Sequence, residues 1–226
     1  MYQRKSPGLS VPSLGMASKT ASGARELYDE WASTYDLSLR SWGYPIPGRV
    51  AASLLNASVP PSGRIVDLGC GTGLGGECVR TAFIGGDLVG LDISGRSLDY
   101  VRDNKPGVYT ALQEHNLDEP LPSVVGSVGT ADAFISCGVF SYVERFDVLF
   151  PEVCERLKPG GVLVFSHHVS YWDEDRRGCR SAAEGLQAKG DWIIERVGEP
   201  EPYMPRNPDP DENSKRVRII IIRKCA

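Results

Sequence analysis

Two carboxylates and a set of closely spaced glycines are the residues of this 226-residue chain best arranged to do chemistry. Asp67 stands two places before Gly69, and Gly71 and Gly73 follow in Arg64-Ile-Val-Asp-Leu-Gly-Cys-Gly-Thr-Gly-Leu-Gly-Gly76. A second acid, Asp92, closes Asp87-Leu-Val-Gly-Leu-Asp92, 19 residues beyond Gly73. Glycines so placed let a tight turn form and bring bare backbone against a ligand. A carboxylate at the end of the next strand can accept hydrogen bonds from ribose hydroxyls. Asp67, near the end of an apolar strand, is costly to bury unless a cation or a donor meets it. The chemistry that fits is the binding of a nucleoside.

The elements around these residues must form a βαβ unit. Ile65, Val66 and Leu68 read as a strand buried on both faces of a parallel sheet, residues 77–83 as a helix, and 87–91 as a second strand. A G-x-G-x-x-G frame exists at Gly71, Gly73 and Gly76 and would suit a dinucleotide. The strand ends at Leu68, however, so Gly69 is the turn glycine and the pattern becomes Asp67-Leu-Gly-Cys-Gly-Thr-Gly73. In that register residues 66–73 resemble the first motif of the class I S-adenosylmethionine-dependent methyltransferases, and Gly90-Leu-Asp-Ile-Ser94 resembles their second. The resemblance implies S-adenosylmethionine as cofactor, with S-adenosylhomocysteine as product. It puts Asp67 beneath the methionine amino end, Asp92 on the ribose, and Gly69, Cys70, Gly71, Gly73 and Ile93 against the cofactor.

Upstream, Leu27, Tyr28, Trp31 and Tyr35 share one face of a helix, where Trp31 reads as core. Tyr28-Asp-x-Trp-Ala-x-x-Tyr-Asp36 resembles the segment that folds over the cofactor in small-molecule methyltransferases. By that likeness residues 24–58 form a helical lid, and Tyr28 and Tyr35 touch the cofactor. Together with the first motif, the segment is also similar to the methyltransferase-like proteins of the Williams-Beuren type. Trp42-Gly-Tyr-Pro-Ile-Pro47 is a rigid aromatic stretch, readable as pocket wall or as plain core.

Downstream, Asn116 and Leu117 follow the third strand, at the level where ligands sit in open α/β sheets. In the family an acid here accepts from the adenine amino group; the amide oxygen of Asn116 can also accept, and Asp118 is the alternative. At the exit of the fourth strand the resemblance brings Cys137 to the methionine half and turns Phe140 and Tyr142 toward an acceptor. The Asn/Asp-Pro-Pro-Tyr motif of base-methylating enzymes is missing, which counts against base flipping. Residues 146–157 have helical spacing, with Pro151 best placed in a first turn starting near Phe150. Lys158-Pro-Gly-Gly161 stops that helix and leads into the fifth strand, at whose end stand His167 and His168. His167 is a candidate general base, against the simpler reading of a structural hydrogen bond, and Tyr142 is a second catalytic candidate. Residues 173–189 read as a helix. Residues 191–197 and 216–223 read as the last two strands. Between them, 198–215 carries five prolines and several acids; it could border the acceptor, but the reading preferred is a mobile surface loop.

The expected fold is α/β: a Rossmann-like, seven-stranded, mostly parallel sheet of order 3-2-1-4-5-7-6 with helices on both faces. One domain covers 24–226, and 1–23, rich in Ser, Pro, Gly and Lys, reads as a disordered tail. A net charge of −4 argues against nucleic acid as partner, and no apolar run spans a membrane. Six scattered cysteines without a C-x-x-C pair read as reduced thiols, hence a cytoplasmic or nuclear location, and no metal site is expected. Three functions stay open: methyl transfer to a small-molecule acceptor, methyl transfer to a basic protein segment gripped by residues 199–212, and cofactor binding without turnover. A nicotinamide-dependent oxidoreductase is a remoter fourth, weakened by the glycine register.

Overall fold

The computed structural model describes residues 21–127 and 129–226. The tail expected over 1–23 falls outside the described residues as far as residue 20, and the first helix already begins at Ala21. That helix, α1 (Ala21–Trp42), is followed by α2 (Ile46–Asn56), β1 (Arg64–Leu68), α3 (Leu74–Ala82), β2 (Asp87–Asp92), α4 (Gly95–Asn104) and β3 (Ala111–Glu114). Then come β4 (Ala131–Ser136), α5 (Phe146–Arg156), β5 (Leu157–His168), α6 (Val169–Asp173), α7 (Cys179–Lys189), β6 (Trp192–Val197), β7 (Glu201–Pro202), α8 (Pro210–Ser214) and β8 (Arg216–Lys224).

The strands form one sheet of order β3-β2-β1-β4-β5-β8-β6, with the two-residue β7 also paired to β8. β1 to β5 run parallel, and β8 lies antiparallel between β5 and β6. This is the expected order with β7 added to the count. Strands this apolar must be covered on both faces. One face packs Phe134, Phe165 and Ile220 against Phe146 and Phe150 of α5 and Ala183 and Leu186 of α7. The other packs Ile65, Ala133 and Val164 against Val50 and Leu54 of α2 and Val79 of α3. Successive side chains of β4 and β5 alternate between the two cores, as the two-residue period of a strand requires.

Three elements differ from expectation. α5 starts at Phe146 and carries Pro151 in its interior. A proline there forfeits one bond, to the carbonyl four residues back, which is still in the first turn. Burial of Phe146, Leu149, Phe150 and Val153 along one stripe outweighs that loss. Residues 173–189 are not one helix: α6 forms earlier, around Tyr171 and Trp172, and the chain then turns through Asp175 and Arg177, both at positive φ, before α7. Residues 198–215 are not a mobile loop. They hold β7 and α8, bury Met204 against Trp31, Leu39 and Trp42, and donate a hydrogen bond from Arg206 N to Trp42 O at 3.0 Å. Asp209 caps α8, and the buried Glu212 pairs with Lys215 at 2.6 Å.

Candidate functional site

A cavity opens at the carboxyl ends of β1, β2 and β4, beneath α1. Its floor is the turn after β1. Gly69, Gly71 and Gly73 have φ of 74°, 51° and 86°, values that L side chains rarely adopt. The N–H groups of Gly69 and Cys70 both donate to Leu91 O at 2.8 Å, which pins the turn to the next strand. A Cβ at Gly69 would strike Val139 at 2.4 Å, whereas one at Gly71 would meet nothing within 4 Å. Gly71 therefore presents bare backbone to the open cavity. Gly73 does not line the cavity; it precedes α3 and serves the turn.

Asp67 is 1% exposed. Its Oδ2 accepts from the Tyr109 hydroxyl at 2.7 Å, and its Oδ1 is buried with no hydrogen-bond partner. Burial pushes its carboxyl up to about 7; the Tyr109 hydrogen bond pulls the other way, and Asp92 adds to the rise. No cationic side chain contributes. Tyr109 also accepts from Gly76 N at 3.1 Å, so one hydroxyl joins the acid to the start of α3. Asp92 is likewise buried and pushed up to about 6, chiefly by burial, while accepting from Ser94 N at 2.8 Å and Gly71 N at 2.7 Å. A carboxylate has acceptor capacity beyond these backbone bonds, and Asp92 lines the cavity.

α1 forms the roof. Tyr28 and Tyr35 line the cavity, packed edge to face with centroids 5.7 Å apart, while Trp31, 2% exposed, sits in the core behind them. The helix is latched by groups that sequence reasoning passed over. Asp29 accepts from the Ser94 hydroxyl, and Asp36 accepts from the Thr72 hydroxyl and pairs with the buried Lys105, which also holds Glu77 at 2.9 Å. The signal was present: Asp29 and Asp36 lie seven residues apart on one helical stripe, within the same motif as the two tyrosines.

At one end of the cavity stand Ile93, His115, Asn116 and Leu117. The Asn116 amide oxygen accepts from Asp118 N at 3.1 Å, an Asx turn that occupies one of its lone pairs. Asp118, the alternative, caps α5's approach by accepting from Glu144 N and Arg145 N at 2.7 and 2.9 Å. His115, not singled out from the sequence, lines the cavity with its Nε2 unpartnered.

At the other end stand Cys137, Gly138, Tyr142 and, from the 42–47 segment, Tyr44 and Pro47. Tyr142 meets Tyr28 edge to face at 6.0 Å. Tyr44 packs on Tyr203 at 5.2 Å, and both hydroxyls close on Gly138, where a Cβ would come within 2.9 Å of either. Burial raises the phenols of Tyr28, Tyr44 and Tyr203 above their ordinary value. Phe140 is fully buried in the core, not at the cavity.

His167 is not brought to the cavity. It shares the face of Phe165, 2% exposed, ringed by Phe140, Phe146, Phe165 and Tyr171, with Nε2 unpartnered. Burial lowers it to about 3, so it is neutral at physiological pH and cannot reach an acceptor. His168, one residue on, points to the opposite face and meets Tyr203 at 4.7 Å.

The donor set suits an adenosyl group with an amino-acid end: a paired carboxylate for the ribose, a glycine that leaves room, and a buried acid lacking its counter-charge. Residues 66–163 match the model of a methyltransferase domain family. The YqeM protein of Bacillus subtilis, provisionally named a methyltransferase, is 31% identical over 149 residues, 64% of this chain and 57% of that one. The malonyl-[acyl-carrier protein] O-methyltransferase of Methylococcus capsulatus is 36% identical over 107 residues, 47% of this chain and 38% of that one. The chain thus spans about half the length of the curated relatives it matches. The crystal structure of a TehB-like S-adenosylmethionine-dependent methyltransferase from Corynebacterium glutamicum superposes with a TM-score of 0.60 at 19% identity, over 86% of this chain and 98% of that one. Over residues 66–163 the chain is thus similar to a methyltransferase domain, and its fold is the Rossmann-like fold seen in solved S-adenosylmethionine-dependent methyltransferases.

Proposed function

We propose that the protein is an S-adenosylmethionine-dependent methyltransferase whose acceptor is a small molecule. One observation carries the reading: Asp67 is buried beside the glycine turn with an unpaired oxygen and no cation among the described residues to meet it. Such a group is expensive to keep unless a ligand supplies the missing charge, and the ammonium of a methionine end supplies it. Asp92 holds the ribose, the Gly71 backbone lies against the ligand, and Asn116 and Leu117 border the adenine. Cys137 flanks the methionine half, and Tyr28 and Tyr35 close the lid.

The cofactor, when bound, supplies a methyl group already activated on a sulfonium. The chain's own residues then need only orient the acceptor in line and exclude water. α1 excludes water through the Asp36–Lys105 latch, and Tyr44, Tyr142 and Tyr203 build the wall facing the methyl group. No base is required of His167.

The acids of 198–215 favour a small molecule over a basic protein segment, because three of the five are engaged within the chain: Glu201 pairs with Arg49 at 3.2 Å, Glu212 with Lys215, and Asp209 caps α8. The narrower likeness to the Williams-Beuren-type proteins rests on residues 28–36 together with residues 67–73, and only the second stretch lies within the matched residues 66–163. Incubation with methyl-labelled cofactor and either a metabolite extract or a basic peptide library tests the reading. Label should pass to a compound of the metabolite extract; label only on peptides, or on neither pool, would overturn it.

A further inference from the structure

A second cavity lies at the carboxyl end of β5, between α6 and the segment running from α8 into β8. Tyr142 lines both this cavity and the one beneath α1, so a single phenol ring divides them. The floor is His168 and Tyr203, the pair that meets at 4.7 Å, and Tyr203 packs in turn on Tyr44 of the first cavity. The two spaces are therefore neighbours across the place where an adenosyl cofactor's methionine half would end.

The lining of the second cavity carries three acids and three cations, but Arg218, from outside the lining, takes Asp173 and leaves one cation over. Three acids line it, and each has a partner in the chain: Asp173 with Arg218 at 2.9 Å, Glu174 with Arg176 at 2.7 Å, and Glu212 with Lys215 at 2.6 Å. Arg216 also lines it and pairs with no carboxylate among the described residues. One of its amino groups, Nη1, is held by the carbonyls of Asn213, Ser214 and Lys215 at 3.1–3.3 Å. That anchoring fixes the guanidinium at the end of α8 while leaving Nε and Nη2 without a protein acceptor, a geometry suited to a planar two-oxygen anion. Rings of Tyr171 and Tyr203 and the hydroxyls of Ser141 and Ser170 complete the lining. The space is thus an aromatic slot with one uncompensated, pre-oriented guanidinium.

We propose that this second cavity is the acceptor site and that it takes a small carboxylate, held by Arg216 with its body against Tyr171 and Tyr203 and its reacting end directed past Tyr142. The proposal rests on the methyltransferase reading and names the class of its acceptor. Steady positioning by one anchored cation is enough to select among small molecules, because an acid has a matched partner here and an amine meets an unpaired positive charge.

The test uses the full chain loaded with S-adenosylhomocysteine and the matched probes benzoate, benzamide and benzylamine. Side-chain signals of Tyr203 and Arg216 are followed by nuclear magnetic resonance. Benzoate should shift both and bind about tenfold more tightly than benzamide, as expected for a hydrogen-bonded charge pair, with benzylamine weaker still. Arg216→Gln should abolish the preference for benzoate, and Arg216→Lys should restore part of it, while the affinity for S-adenosylhomocysteine stays unchanged in both. Equal binding of the three probes, a preference for benzylamine, or a benzoate preference that survives Arg216→Gln would overturn the proposal. Because the wild-type preference alone decides the first two outcomes, a variant that failed to fold would not protect the idea. Failure to bind S-adenosylhomocysteine at all would instead refute the methyltransferase reading beneath it.

Discussion

The unpaired Asp67 makes cofactor affinity depend on pH with a definite sign. In the free protein its carboxyl is held at about 7, because burial is only partly offset by the Tyr109 hydrogen bond. An ammonium against Oδ1 favours the ionised form, so the bound carboxyl falls back toward the ordinary carboxylate range. Binding must therefore expel a proton whenever Asp67 is protonated beforehand. With a free value near 7, ionised Asp67 falls from about nine-tenths at pH 8 to about one-tenth at pH 6, and affinity follows it: roughly tenfold, or about 1.4 kcal/mol. Below pH 6, Asp92, held at about 6, steepens the loss. Calorimetry with S-adenosylhomocysteine from pH 5.5 to 8, in pairs of buffers with different ionisation heats, reads both the affinity and the proton. Release should approach one proton at pH 6 and vanish by pH 8.5. Tyr109→Phe removes the group that lowers Asp67, so its curve should move to higher pH, and Asp67→Asn should flatten the dependence. A flat wild-type affinity between pH 6 and 8, with no proton released, would refute the reasoning.

Other substitutions separate function from stability. Without ligand, a carboxyl raised in the folded state costs stability above its unfolded value, so the apo protein should gain stability as pH falls through 7. Asp67→Asn should stabilise the apo protein at pH 8 by roughly 2–4 kcal/mol in denaturant titration while abolishing tight cofactor binding. His167 has the opposite linkage: lowered to about 3, it is buried neutral, and stability is lost as pH falls below its unfolded value near 6.5. His167→Phe should remove that acid sensitivity and leave methyl transfer intact; a large loss of turnover would restore His167 as a candidate base. Lys105→Met leaves Asp36 without its cation, while Glu77 keeps only Arg40 at 3.0 Å, so hydrogen exchange in α1 should rise by an amount equivalent to about 2–4 kcal/mol.

The part of the site carried by contiguous chain could be read from the sequence. Residues 64–76 and 87–92 announce strand, turn and strand through local pattern alone, so the turn glycine Gly69 and both acids were found. Tyr28 and Tyr35 share a helical face, but it was the resemblance of residues 28–36 to a cofactor-covering segment that singled them out, and both line the cavity. What failed depended on contacts distant in sequence or on the two-residue alternation of a strand. Tyr109 reaches Asp67 from 42 residues away, and Lys105 meets Asp36 across a longer gap still; neither residue type marks such a partner. His167 and His168 looked equivalent at the end of β5, yet adjacent residues of a strand face opposite sides, and only the packing of α5 and α6 decides which side is core. The prolines of 198–215 read as loop punctuation, but Met204 docking on Trp31 and Trp42 turns that segment into part of the roof.

The central claim is that the turn after β1 and the acids beside it bind an adenosyl amino acid. Calorimetric titration with S-adenosylmethionine, S-adenosylhomocysteine and NAD, on the wild type and on Gly71→Arg, tests it most directly. A Cβ at Gly71 meets no protein atom within 4 Å, so apart from the backbone strain of a side chain at φ 51°, which thermal unfolding of the variant would register, the arginine should be accommodated and place its bulk in the ligand's space. Micromolar binding of the two adenosyl ligands, lost in Gly71→Arg and absent for NAD, is the predicted result. Binding of NAD alone, or adenosyl binding untouched by the arginine, would contradict the account.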